Sequence, residues 1–260
     1  MQQKKQRPQR YEIGQWGVML KEYLPPGLKT LCVDLFFRYT PISAICLLWK
    51  ELDGYFRIKR PKKGDVVVDA GAWTGHFTLV AARMVGKRGK VIAIEPQKLM
   101  CERLEDRMRR LGMNNVTVVN SALFDRTSKL VVPYRNDPGF NVFSAAREAE
   151  VTETVVLRTL DDILDSLKID QVDFVKMDIE GAEIEALHGM QHTLSSMRPF
   201  VAIASYHWRE GAMTSTRVEE ILRGSNYSGR TGHPWHLTTW GWVSSDHQTQ
   251  ILAEQSAAKS

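Results

Sequence analysis

The chain has 260 residues, 43% of them hydrophobic and 25% charged, with a formal net charge of +5. That is long enough for one large α/β domain with an N-terminal extension, and the composition excludes global disorder. Cys32, Cys46 and Cys101 are too few and too widely spaced for a disulfide framework or a zinc pattern, and their odd number points to a reducing, cytoplasmic setting.

The first ten residues, MQQKKQRPQR, carry four positive charges and no negative one. They read as a solvated tail, with nucleic-acid or anionic-membrane contact as the second reading. No secretory signal is expected, because the basic start runs into YEIGQWGVMLKEYLPPG rather than a continuous apolar stretch. Residues 31–50, LCVDLFFRYTPISAICLLWK, form the most hydrophobic window, but Asp34, Arg38 and Pro41 interrupt it well short of the roughly 18 residues a spanning helix needs. A pair of short helices packed on the core is expected. The alternative is a peripheral membrane contact through Phe36, Phe37, Leu47, Leu48 and Trp49. Pro25, Pro26 and Pro61 suggest an extension over residues 1–60 and a catalytic domain over 61–260.

From residue 62 onward, buried-strand runs alternate with helical periodicity. KKGDVVVDAG is a strand, and TGHFTLVAARMVG a helix with Phe77, Val80, Ala81 and Met84 on one face and a stop at Gly86. GKVIAIEP, NVTVVNSAL, VDFVKMDIEG and RPFVAIASYH are further strands, and QKLMCERLEDRMRRLGM, AEIEALHGMQHTL and TSTRVEEILRGS further helices. LVVPYRNDPGFNVF has the composition of an inserted loop or hairpin, VTETVVLRTLDDILDSLKI reads as a strand and a short helix, and HLTTWGWVS as a closing strand. This order predicts an α/β fold with a doubly wound, mostly parallel sheet.

Ligands of such sheets bind where strands end at the switch point, here the turn VVVDAGAWTGHF. Gly71 permits a tight turn and Gly75 a close approach at the helix start, but the spacing is not the G-x-G-x-x-G of a dinucleotide site. Asp69 disfavours a phosphate at this place and suits an ammonium group, through backbone or water contacts. Glu95, 26 positions later at the end of the next strand, is placed to accept both hydroxyls of a ribose. An uncharged nucleoside joined to a cationic amino acid satisfies both acids, and that ligand is S-adenosylmethionine. The expected cofactor residues are Asp69, Gly71, Ala72, Trp73, Thr74, Gly75, Glu95 and Pro96, with Ser121 and Ala122 beside the adenine.

The segments VVVDAGAWTGHFTL, VIAIEP, VVNSAL, RTLDDIL, VDFVKMDIEGAEIEALHGM and RPFVAIASYH together resemble the FkbM-type family of S-adenosylmethionine-dependent methyltransferases over roughly residues 62–207. The resemblance implies a class I (Rossmann-like) methyltransferase fold, a seven-stranded sheet whose antiparallel last strand HLTTWGWV would supply. It also implies methyl transfer to a hydroxyl of a sugar, polyketide or related small molecule, with Asp178 beside the sulfonium and the acceptor. The sequence departs from many family members at Ser205-Tyr206-His207, where those carry an acid.

A hydroxyl acceptor must lose a proton, so His207 or Asp178 is expected as general base and Glu180 as the group that orients the acceptor. A divalent cation such as Mg²⁺ on Asp178 and Glu180 is the alternative. Glu183 and Glu185 are expected as first-turn acids favoured by the helix dipole. Lys176, opposite Met177 by strand alternation, should pair with an acid or line the pocket. Two competing functions remain at this level. One is an RNA or protein methyltransferase, for which Trp235, Trp240 and Trp242 would serve as stacking surfaces, and the other a non-catalytic S-adenosylmethionine-binding protein.

Overall fold

The structure, a computed structural model, describes residues 26–48, 50–133, 152–233 and 236–243. Three helices come first: α1 (Pro26–Tyr39), α2 (Ile42–Leu48) and α3 (Lys50–Phe56). The alternating part follows with β1 (Val66–Ala70), α4 (His76–Val85), β2 (Lys90–Glu95), α5 (Lys98–Arg110), β3 (Val116–Asn120), β4 (Ala122–Leu123), β5 (Ser128–Pro133), β6 (Thr152–Arg158) and α6 (Leu160–Ser166). The second half contains β7 (Phe174–Met177), α7 (Glu183–His188), a π turn (Thr193–Met197), β8 (Phe200–Ala204), β9 (Trp208–Arg209), β10 (Ala212–Met213), α8 (Thr214–Gly224), β11 (Ser228–Gly232) and β12 (Thr238–Trp242).

Seven strands form the main sheet in the order β11-β12-β8-β7-β1-β2-β3. β1 pairs in parallel with β2 and β7, β7 with β8 and β2 with β3, while β12 is antiparallel to both β8 and β11. The chain reverses its direction of travel across the sheet between β1 and β7, and their carboxyl ends open the ligand crevice there. Both faces are covered, so the central strands are buried throughout, and apart from Asp69 in β1 and Lys176 in β7 the interiors of β1, β7 and β8 are apolar. Val67, Phe174 and Ala202 pack toward α1–α5, whereas Val68, Val175 and Ile203 pack toward α6–α8. β4, β5 and β6 form a separate three-stranded sheet.

The fold class, the antiparallel closing strand and the helical starts at residues 76 and 98 agree with the sequence reading. One strand of the main sheet, β11, and the small β9–β10 pair lie outside the sequence expectation. SGRTG has two glycines and no apolar face, and it is a strand because the sheet edge at Thr238–Trp242 pairs with it. Within the loop-or-hairpin segment, Leu130–Pro133 belongs to β5, paired antiparallel with β6, and residues 134–143 lie outside the described residues.

The helical pair expected within residues 31–50 is α1 and α2, and it packs on the core. Phe37 is fully buried and stacks on His76, with centroids 4.9 Å apart, and Ile45 is equally buried. Phe37 is therefore core and not a membrane-facing side chain, while the side chains of Leu47, Leu48 and Trp49 lie outside the described residues. Among the described residues no helix is long and apolar enough to cross a membrane. The basic tail and Trp235 are also outside the described residues. Trp240 is buried and donates its Nε1–H to the Gly54 carbonyl at 3.0 Å, so it is no stacking platform. In α1, Asp34 meets Arg107 of α5 at 2.6 Å, both buried, and Arg107 in turn donates to the Thr74 carbonyl. The N-terminal helices thus brace the loop that follows β1.

Candidate active site

The β1–α4 loop is shaped by close backbone approach. Gly71 has φ 75°, and a Cβ there would lie 1.8 Å from the Asp178 carbonyl oxygen, so only glycine lets the ends of β1 and β7 meet. Gly75 has φ 78°, and a Cβ there would sit 2.2 Å from Leu104. Gly71 and Ala72 donate their amides to the Ile94 carbonyl at 2.9 and 3.1 Å, which ties the loop to β2. A cavity of about 270 Å³ opens beside it. Of the expected cofactor residues, Gly71, Ala72, Trp73, Thr74, Glu95, Pro96, Ser121, Ala122 and Asp178 line that cavity.

Glu95 is the buried acid of this half. Its Oε2 accepts the Trp73 amide at 2.9 Å and its Oε1 the Gln97 amide at 3.0 Å, leaving each oxygen a lone pair for a further donor. Burial pushes its pKa up to about 7, against the two amides and the charge of Lys176. Asp69 does not itself line the cavity. Its carboxylate is fully buried beneath the cavity, accepts the Thr78 hydroxyl at 2.5 Å and lies 3.0 Å from Lys176 Nζ. Its position is compatible with the indirect contact expected of it, through backbone or water, and leaves the carboxylate itself out of the cavity lining. Lys176 both pairs with this acid and lines the cavity, as strand alternation implied. The Ser121 hydroxyl donates to the Val156 carbonyl at 2.9 Å and its amide to the Glu95 carbonyl at 3.1 Å, so Ser121 forms wall and not a free donor.

The second half is built on the ends of β7 and β8. Asp178 Oδ2 accepts the Tyr55 hydroxyl at 2.9 Å, and Oδ1 the Tyr206 hydroxyl at 3.4 Å. Glu180 stands at φ 57° with Gly181 at φ 104° behind it, a left-handed pair that turns the chain toward α7 and sets the Glu180 carboxylate on the cavity. His207 reaches across from the end of β8: its Nε2 lies 3.7 Å from Asp178 Oδ1 and 3.7 Å from Glu180 Oε2, and its Nδ1 2.9 Å from Glu183 Oε1.

The electrostatics follow from that crowding. Burial works against a charge on His207, but Glu183, Asp178 and Glu180 together outweigh it and push the imidazole up to about 9. Burial and the Asp178 charge raise Glu180 above its ordinary value. Burial opposes ionisation of Asp178 too, yet Lys176, His207 and the Tyr55 hydroxyl hold it below the usual carboxylate range. Below about pH 9 both ring nitrogens of His207 hold a proton, so Nε2 must lose one before it can serve as the general base expected of it or donate a lone pair in any other way.

Glu183 is where the sequence reading fell furthest short. It does open α7, but it is fully buried, accepts the Gly181 amide at 3.1 Å and faces His207, which is far more than a first-turn acid does. Glu185 instead pairs with Arg209 at 3.1 Å. Tyr55 was missed altogether. It sits in a short N-terminal helix 123 positions from its partner Asp178, and no local pattern links the two.

Residues 69–228 match the family profile described as Methyltransferase FkbM domain. Among solved structures, methyltransferase FkbM from Methylobacillus flagellatus KT overlays with a TM-score of 0.56 at 24% identity, covering 87% of this chain and 58% of that one. Fibrillarin from Aeropyrum pernix, a structure with natively bound S-adenosyl-L-methionine, overlays at 0.50 with 14% identity, covering 74% of each chain. Both likenesses concern the fold. A protein-L-isoaspartate O-methyltransferase from Methanococcus aeolicus is 40% identical over 58 residues, 22% of this chain and 27% of that protein. The match thus spans little more than a quarter of that protein and of its counterpart from Ignicoccus hospitalis.

Proposed function

The chain belongs to the FkbM family of S-adenosylmethionine-dependent methyltransferases, and from this we propose that it methylates a hydroxyl oxygen of a small molecule such as a sugar or a polyketide-like acceptor. The observation that carries the reading is the position of Asp178 and Glu180, whose carboxylates line the same cavity as Gly71 and Glu95. A methyl donor and an acceptor in that cavity meet beside two groups able to take a proton.

The residues present fit the donor. Glu95 keeps a lone pair on each oxygen for ribose hydroxyls, and the β1–α4 loop brings bare backbone to the cavity edge at Gly71. S-adenosylmethionine supplies a sulfonium-bound methyl group open to in-line attack. Asp178, held by Tyr55 and Tyr206, gives the sulfonium side of the cavity a fixed negative charge. Glu180, whose side chain is 43% exposed, is the carboxylate an acceptor can reach, and it would take the hydroxyl proton as the C–O bond to the methyl group forms and the donor's S–C bond breaks, S-adenosylhomocysteine being the leaving group. The aromatic ring of Trp73, 40% exposed, and that of Tyr206, 39% exposed, offer flat apolar surface to the acceptor. A cytoplasmic setting belongs to the same reading, with Cys32 and Cys101 as free thiols.

The test is incubation with methyl-labelled S-adenosylmethionine and a metabolite extract, followed by identification of the labelled product. A labelled small-molecule ether is expected, and Asp178→Ala should abolish it while leaving measurable cofactor binding. Label found only on RNA or protein would overturn the acceptor assignment, and full activity in Asp178→Ala the role of that residue.

A further inference from the structure

We propose that Asp178, Glu180 and His207 form a binding site for a divalent first-row transition cation, with Glu183 as the carboxylate that orients the histidine. One ligand atom from each of the three lies within 4.8 Å of the others. Metal–ligand bonds of about 2.1 Å separate adjacent ligand atoms by about 3 Å and opposite ones by about 4.2 Å. The two 3.7 Å separations from His207 Nε2 fall inside that span, so an ion between the three needs inward shifts of only a few tenths of an ångström.

The independent sign is the histidine. Its side chain is nine-tenths buried, neither ring nitrogen makes a well-aligned hydrogen bond among the described residues, and Nε2 is aimed between two carboxylate oxygens. A polar nitrogen buried without a partner is costly unless something occupies the position it faces. Its other nitrogen stands 2.9 Å from Glu183 Oε1, and Glu183 is itself anchored by the Gly181 amide at 3.1 Å. This is the carboxylate–histidine arrangement that fixes an imidazole tautomer and presents the opposite nitrogen to a metal. Tyr55 occupies Asp178 Oδ2, while Oδ1, which lies 3.7 Å from His207 Nε2 and accepts only the long 3.4 Å bond from the Tyr206 hydroxyl, keeps a lone pair for the cluster. The left-handed backbone at Glu180 brings the third ligand round, and Arg209 holds the turn by donating to the Gly181 carbonyl at 2.7 Å.

The donor set also selects the ion. Two carboxylates alone suit Mg²⁺, but a buried imidazole suits Mn²⁺, Fe²⁺, Co²⁺ or Zn²⁺ better. Binding of such an ion does not depend on the acceptor. Its use in the reaction does rest on the hydroxyl reading above: a cation beside the acceptor oxygen lowers the pKa of the hydroxyl, whose proton then leaves to the second oxygen of Glu180.

The experiment uses the full chain, stripped with chelator and dialysed, and titrated with Mn²⁺ alone, bound ion being read by loss of the free-ion paramagnetic resonance signal and checked by calorimetry with Zn²⁺. One site per chain is expected, weakened at least 10-fold by His207→Ala and by Glu180→Gln and about 10- to 100-fold by Glu183→Gln, while the surface variant Asp106→Asn leaves it unchanged. Cofactor binding reports folding in each variant. If His207→Ala does not fold, the more exposed Glu180→Gln decides the matter. Absence of stoichiometric binding, or binding indifferent to both Glu180→Gln and His207→Ala, would overturn the site. Because the readout is binding, ion capture without any methylated hydroxyl product would sink the acceptor reading and leave the site standing.

Discussion

Replacing Glu95 by glutamine should make the protein more stable at alkaline pH relative to wild type while destroying its grip on the cofactor. Glu95 is 4% exposed, and burial raises its pKa from an ordinary 4.5 to about 7. The sign follows from proton linkage: between those two values the folded chain holds a proton that the unfolded chain has released, so stability falls as pH rises through the window. At about 1.4 kcal/mol per pH unit, the folded protein above pH 7 carries a cost of about 3 kcal/mol. Glutamine cannot ionise and lacks this pH-dependent term. It also turns an amide NH₂ toward the backbone N–H of Trp73 or Gln97, which costs a constant 1–3 kcal/mol, roughly, at every pH.

The informative quantity is therefore the difference between the two proteins as a function of pH, in which all other titrating groups cancel. Urea unfolding at pH 5 and pH 8 should show that difference moving by about 2.5 kcal/mol in favour of Glu95→Gln, or roughly 5–10 °C in melting temperature for a domain of this size. Wild-type affinity for S-adenosylmethionine should decline as pH falls below about 7, because the protonated carboxyl loses acceptor capacity for the ribose. Parallel stability profiles for the two proteins would refute the reasoning, since they would mean that Glu95 ionises in the fold as freely as in the unfolded chain.

Tyr55→Phe removes the hydroxyl on Asp178 Oδ2 with little change in volume, and should lower kcat about 10-fold, the equivalent of one hydrogen bond of about 1.4 kcal/mol, with cofactor affinity nearly unchanged in equilibrium titration. Gly71→Ala drives a Cβ into the Asp178 carbonyl at positive φ, and backbone strain plus overpacking sum to about 2–6 kcal/mol, measurable as lost thermal stability together with lost cofactor binding. Asp34→Asn leaves Arg107 buried beside a neutral partner, so chemical denaturation should show a loss of up to about 3–5 kcal/mol, and cofactor binding should weaken because Arg107 also holds the Thr74 carbonyl.

Much of the cofactor half was legible in one dimension. A carboxylate or glycine at the end of a buried strand is a local fact, readable because strand ends and the helix starts after them carry their own signals, as at Asp69, Gly71, Gly75 and Glu95. Even there, the spacing could place Asp69 at the loop without saying which way its carboxylate points. The sheet's alternation turns it under the loop toward Thr78 and Lys176, on the face shared with Val67.

The reaction half depends on contacts between residues far apart in the chain. Tyr55 reaches Asp178 only because α3 packs over Phe77 and Phe174, and His207 reaches Glu183 only because β7 and β8 are neighbours in the sheet. The strand β11 likewise exists because Thr238–Trp242 offers it an edge, not because SGRTG favours extension. The sequence alone determined the family resemblance, the alternation of strands and helices up to β8, and the acids at strand ends, since each is encoded in a short run of residues. Tertiary structure decided which of those acids are charged, paired or exposed, because burial and neighbouring charge are properties of three-dimensional proximity that no single segment carries.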